Sequence, residues 1–269
     1  MKIQQHLNNR RAKQRGLTLI ELVVVLAILV ALAGLIVANF PGVITRAHTA
    51  TCATHVADIN KIMQYSYTTS LKYPSGFDSL LNSGTDTLFD KLPGHAVGTP
   101  VGGTNNIVAG QLEAGEALAL AAAGVTNSYN LDPNASDATW SATDLSSQNS
   151  FLSGTPNVAL VPIGYATNVW PNLAQTLSTN TTTKFVIFGV GSGCTAVGPG
   201  HLMQEAPTHF GDNANMNPQE NYQRIAVVFR VDTDNGGNST ASFVGAGALH
   251  DDSIGTSEGD IHDYYQVSQ

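Results

Sequence analysis

The sequence predicts an α+β protein: one long N-terminal helix whose second half packs on a head built mainly from antiparallel strands. Three observations carry the prediction. Residues 22–38 are 17 consecutive positions without a polar side chain. Residues 43–72 place Cys52, Val56, Ile59, Met63, Tyr67 and Leu71 at spacings of three and four, one face of an α-helix. Beyond position 73, short runs of Val, Ile and aromatic residues alternate with clusters of Gly, Pro, Asn, Ser and Thr, the pattern of strands and turns. Helix first and strands afterwards is the order of an α+β chain.

Composition excludes several classes. At 42% hydrophobic residues the 269-residue chain can build a core and is not a disordered tail. Two cysteines exclude a disulfide scaffold, and a single long apolar run excludes a multi-span membrane protein. Five of the 12 basic residues lie in the first 15 positions: Lys2, Arg10, Arg11, Lys13 and Arg15. All 20 acidic residues lie beyond position 16, so residues 17–269, with seven basic residues, carry a net charge of −13. That balance does not bind nucleic acid over the bulk of the chain.

The first element is the apolar helix. From Leu17 to Phe40 are 24 residues, roughly 36 Å at ~1.5 Å per residue. A hydrocarbon core is about 30 Å thick, and the run shows no polar face, so residues 17–40 are predicted to span a membrane. The basic head before it holds residues 1–16 in the cytoplasm. Glu21 breaks the pattern. A carboxylate inside such a run is costly. It either reaches back to the headgroups or finds a cationic partner in an assembly.

Arg15-Gly16-Leu17-Thr18-Leu19-Ile20-Glu21-Leu22, followed by the apolar run, resembles the N-terminus of the type IV pilin family, which includes the pseudopilins of type II secretion. The shared signature is a basic leader, a glycine, a hydrophobic first mature residue and a glutamate at the fifth mature position. The resemblance covers about 30 residues. It implies that a prepilin peptidase cuts between Gly16 and Leu17 and methylates the new amine. It implies that Glu21 pairs with such an amine on a neighbouring subunit. Inner-membrane insertion with a cytoplasmic N-terminus would then precede release into a homo-oligomeric filament, extracellular or periplasmic, built by pilus or secretion machinery. Leu17 stands where phenylalanine is commonest in the family, the 16-residue leader is long, and Pro41 falls slightly late. An alternative cut after Ala31-Leu32-Ala33, before Gly34, would make the run an ordinary secretory signal. The apolar residues continuing through Ala38, and Glu21 inside the run, oppose it.

The chain thus divides into a leader, 1–16, a long helix, 17–72, and an exported head, 73–269. Gly34 and Pro41 are the weak points of the helix, and Tyr73-Pro74-Ser75-Gly76 ends it. Residues 111–123 read as a short helix stopped by Gly124. Val158–Tyr165, Phe185–Val190 and Arg224–Val231 read as strands, and Ser242–Gly245 as a weaker one. A hairpin joins Arg224–Val231 to Ala241–Val244 through Asp232-Thr233-Asp234-Asn235-Gly236-Gly237.

Chemistry in the head is sparse. Asp232, Asp234 and Asn238 place oxygens at alternate positions, as a calcium loop does. Gly236 and Phe243 depart from the EF-hand pattern, so a polar turn and a calcium site both remain open, the latter with help from Asp251 and Asp252. Some pseudopilins bind calcium in a C-terminal loop. Cys52 and Cys194 can form the chain's single intrachain disulfide, which would pin the head to the helix. The competing reading is two small buried side chains. His201, Glu205 and His209 lack the spacing of a zinc motif. Gly189-Val190-Gly191-Ser192-Gly193 lacks the spacing of a phosphate loop, and a nucleophile elbow lacks its partners. The reading is a structural filament subunit and not an enzyme. The alternatives are a type II secretion pseudopilin and a membrane-anchored binding or adhesin module.

Overall fold

The structure is a computed structural model. It describes residues 18–37, 40–93, 107–132, 134, 148–178, 181–208, 221–249 and 254–256. The chain divides into two compact units, Met1–Thr45 and Arg46–Gln269. The first contains α1 (Leu19–Val37). The second helix, α2 (Phe40–Ser70), begins there and continues into the second unit. Residues 38–39 lie outside the described residues. Pro41 is the second residue of α2, where its missing N–H costs no helical hydrogen bond.

Among the described residues, the second unit holds a nine-stranded sheet and helices packed on it. Its strands are β1 (Phe77–Asn82), β2 (Val108–Gln111), β3 (Asn127–Leu131), β4 (Gln148–Ser150) and β5 (Asn157–Val161). They continue with β6 (Thr181–Gly189), β7 (Ile225–Asp234), β8 (Ser239–Leu249) and β9 (Ile254–Gly255). The order is β4-β3-β1-β6-β7-β8-β9, and β5 carries β2 on a branch from β6. Every pair is antiparallel except β1 with β3.

The central strands are buried on both faces, which explains their nearly unbroken apolar runs. Val186 and Phe188 of β6, with Val227, Phe229 and Val231 of β7, enter one core; Phe185, Ile187, Ala226 and Val228 enter the other. The alternation is the period of two of a strand. The first core also takes Cys52, Val56, Ile59 and Met63 of α2, so four of the six stripe positions are buried as expected. Tyr67 and Leu71 are not: they are 44% and 72% exposed. Tyr67 instead stacks on Tyr73 at 4.7 Å, and Leu71 leaves the helix with φ 55°. Asn60 accepts a hydrogen bond from the Ala246 N–H at 2.9 Å, tying α2 to β8.

The predicted helix over 111–123 is α3 (Ala114–Ala123), capped by reciprocal bonds of Glu113 and Glu116 and closed by Gly124 at φ 115°. A side chain there would strike the Tyr73 backbone at 2.5 Å, so only glycine fits. The predicted strand Val158–Tyr165 is shorter, because Pro162 ends β5 and starts α4 (Ile163–Val169), and a 3-10 turn, Pro171–Gln175, follows. The hairpin forms as expected, with Val231 opposite Ala241 and a bulge between Val228 and Phe229.

Candidate functional site

The N-terminal helix α1 exposes its apolar side chains. Leu19, Val23, Leu26, Leu29 and Leu32 are 81%, 52%, 52%, 55% and 51% exposed. Their neighbours Ile20, Leu22, Val24, Val25, Ile28 and Val30 are also half or more exposed. An amphipathic helix would turn a polar face outward; α1 has apolar side chains all round.

Thr18 and Glu21 start this helix as a capping box. The Thr18 N–H and hydroxyl both donate to Glu21 Oε2 at 2.8 Å, and the Glu21 N–H donates back to Thr18 Oγ1 at 3.4 Å. The spacing Thr-x-x-Glu before an apolar run is a readable helix-start signal. It gives Glu21 a local role that the resemblance alone did not suggest. Gly16 and Leu17, the predicted cut, lie outside the described residues. Among the described residues no helix is long and apolar enough to cross a membrane. At 19 residues, α1 is about 28 Å long by its rise. Leu17, Ala38 and Asn39, which complete the predicted span, are not described.

In the head, the aspartates of the calcium reading already have protein partners. Asp232 Oδ2 pairs with Arg230 Nε at 2.6 Å and its Oδ1 accepts from the Thr183 hydroxyl at 2.5 Å. Asp234 Oδ1 accepts from the Gly236 and Asn238 N–H groups at 2.9 and 2.8 Å, and Oδ2 accepts from Asn238 Nδ2 at 3.1 Å. These bonds, those from Asn238 foremost, hold the Asp234 carboxyl below its ordinary value. Asn238 therefore uses its amide as a donor into the turn. Among the described residues no group of three His, Cys, Asp or Glu side chains is placed to hold a metal ion. Asp251, Asp252 and His209 lie outside the described residues. His201 Nδ1 is 2.7 Å from the Thr195 carbonyl. Glu205 lines a groove of about 590 Å³ between α2 and residues 202–208, where His55 Nδ1 is 3.2 Å from the Thr208 carbonyl.

The glycine run after β6 has a packing role. A Cβ on Gly189 would meet the Tyr222 hydroxyl at 1.6 Å, one on Gly191 would meet Asp78 Oδ1 at 2.2 Å, and one on Gly193 would meet the Tyr129 ring at 2.9 Å. Three side chains from other segments press on this backbone. Nothing in the sequence around the run announces them. Cys52 and Cys194 are both 2% exposed and lie in the same core cluster.

Comparison with known proteins decides the N-terminus. Residues 11–37 match the family model described as the prokaryotic N-terminal methylation motif. The chain carries a prepilin-type signature. That motif is the signature of type IV pilins and pseudopilins, and it contains Gly16, Leu17, Thr18 and Glu21. No curated protein and no solved structure matches the chain. The motif is that of structural, pilin-like subunits.

Proposed function

We propose that the protein is a structural subunit of a type IV pilus-like filament. The observation that carries this reading is α1, whose large apolar side chains from Leu19 to Leu32 are half or more exposed, directly inside a prepilin-type motif. A membrane covers such a helix before assembly, with residues 1–16 in the cytoplasm, and the α1 helices of other copies cover it afterwards. A prepilin peptidase cuts between Gly16 and Leu17 and methylates the new amine. Glycine at the cut lets the protease approach the backbone closely.

Cutting places a cationic amine on Leu17, four residues before Glu21. In a single subunit the Thr18 donors satisfy Glu21. In a helix bundle, where water is scarce, an unpaired amine or carboxylate costs several kcal/mol and pairing them offsets much of it. Glu21 is then a register pin between subunits. A type II secretion pseudopilin shares this chemistry; surface filaments containing the chain distinguish the two. Export also places Cys52 and Cys194 in an oxidising compartment, and we include a disulfide between them in this reading because both lie in one core.

The test is a Glu21→Ala strain. Processing proceeds and surface filaments fall at least tenfold by electron microscopy. Normal filament numbers would remove the charge-pair role of Glu21.

A further inference from the structure

Asp78 is the second residue of β1 and faces Gly189 of β6 in the ladder. It is fully buried. Its Oδ2 accepts a hydrogen bond from the Tyr222 hydroxyl at 2.7 Å. Its Oδ1 is buried with no hydrogen-bond donor, closed off by the Gly191 backbone, on which a Cβ would lie 2.2 Å away. The Tyr222 N–H donates to the Lys91 carbonyl at 2.7 Å. The carboxyl therefore sits where β1, the loop after β6 and the segment entering β7 meet.

The titratable and charged groups around it come from each of these elements. Tyr222 and Arg224 belong to the segment entering β7, Cys194 to the loop after β6, and Tyr129 is the ladder partner on β3. Among the described residues, Arg224 is the cation that acts on it and favours the charged form. An ionised carboxylate has about four acceptor sites, and this one receives a single hydrogen bond from Tyr222. A buried charge so poorly solvated favours its neutral form.

We propose that Asp78 is an internal proton-binding site that makes the head more stable in mild acid than at neutral pH. Burial pushes its carboxyl up to about 6, against the opposing effects of Arg224 and of the Tyr222 hydrogen bond. In the unfolded chain an aspartate titrates near 4. Between these values the folded chain holds a proton that the unfolded chain has released. Stability from this group is thus fully present below about pH 4 and is lost as pH rises through about 6. Most structural carboxylates act in the opposite sense, so the direction itself is diagnostic. The inference holds whether or not the chain assembles into a filament.

The experiment is thermal unfolding of the full chain in detergent between about pH 5 and 7.5, for the wild type, Asp78→Asn and Tyr222→Phe. Histidine titrations are common to all three and cancel in the differences. The wild type gains several degrees in melting temperature on acidification relative to Asp78→Asn. Tyr222→Phe, which removes the single donor, moves the midpoint of that gain to higher pH. Parallel wild-type and Asp78→Asn profiles would overturn the proposal. Should Asp78→Asn not fold, the carbon-13 carboxyl resonance of Asp78 in the wild type reads the site directly. A midpoint near 6 supports the site, and one near 4 overturns it.

Discussion

Cys194 illustrates how burial controls reactivity at a single residue. Burial pushes its thiol up to about 12. The thiolate is the species that attacks a disulfide, so the folded, reduced head is slow to oxidise. In the proposed reading, a bond to Cys52 forms while the core is still open, during export. The expected outcome is that exported protein, unfolded without reductant, alkylates at neither cysteine, and at both after reduction. Alkylation of both without reduction would establish two buried thiols. Asp232 and Asp234 make a second residue-scale case. Their carboxylates already accept hydrogen bonds from Thr183, Gly236 and Asn238, and Asp232 is ion-paired with Arg230, so a calcium ion would have to displace these partners. Calcium and a chelator should give melting temperatures within about one degree. A calcium-dependent rise, through binding to the folded state alone, would show that the turn opens to take the ion.

Among the elements, α3 depends on one ion pair. Lys184 of β6 meets Glu116 at 2.7 Å, with the Glu116 side chain 3% exposed. Glu116 also accepts from the Glu113 N–H at 2.8 Å to complete the helix cap. Removing the lysine leaves a buried carboxylate without its cation, a loss of about 3 kcal/mol. Urea unfolding of Lys184→Ala should show that loss; a change below about 0.5 kcal/mol, the scale of an ordinary surface change, would mean the pair is dispensable. The legibility of the elements followed the same physics. α2 and strands β6 and β7 were readable because their apolar residues recur at spacings of 3.6 or fill a doubly buried strand. β1 and β3 were not, because Asp78, Ser79, Asn82, Ser128 and Asn130 are polar and yet buried. Their partners are distant in sequence: Ser79 donates to Asn130 Oδ1 at 2.6 Å, and Asn130 donates to Asp86 at 3.0 Å. No local pattern reveals such a network. In β8 the weaker strand reading, Ser242–Gly245, stopped short of Ala246, Gly247 and Ala248, which carry no large apolar side chain to mark a strand.

On the scale of the whole molecule, the chain divides into two units of different character. Leu19, Ile20 and the large apolar residues from Leu22 to Leu32 expose half or more of their surface, whereas the described residues of the second unit bury two cores around one sheet. The anchoring end was legible because its signature is local: basic leader, glycine, threonine, glutamate and apolar run in fixed register. Its capping box was equally local and is explained by the Thr18–Glu21 spacing. The most direct measurement is the mass and N-terminal sequence of the exported chain. The expected chain begins at Leu17 with one added methyl group on its amine. A chain beginning at Gly34, or one that keeps residues 1–16, would contradict it.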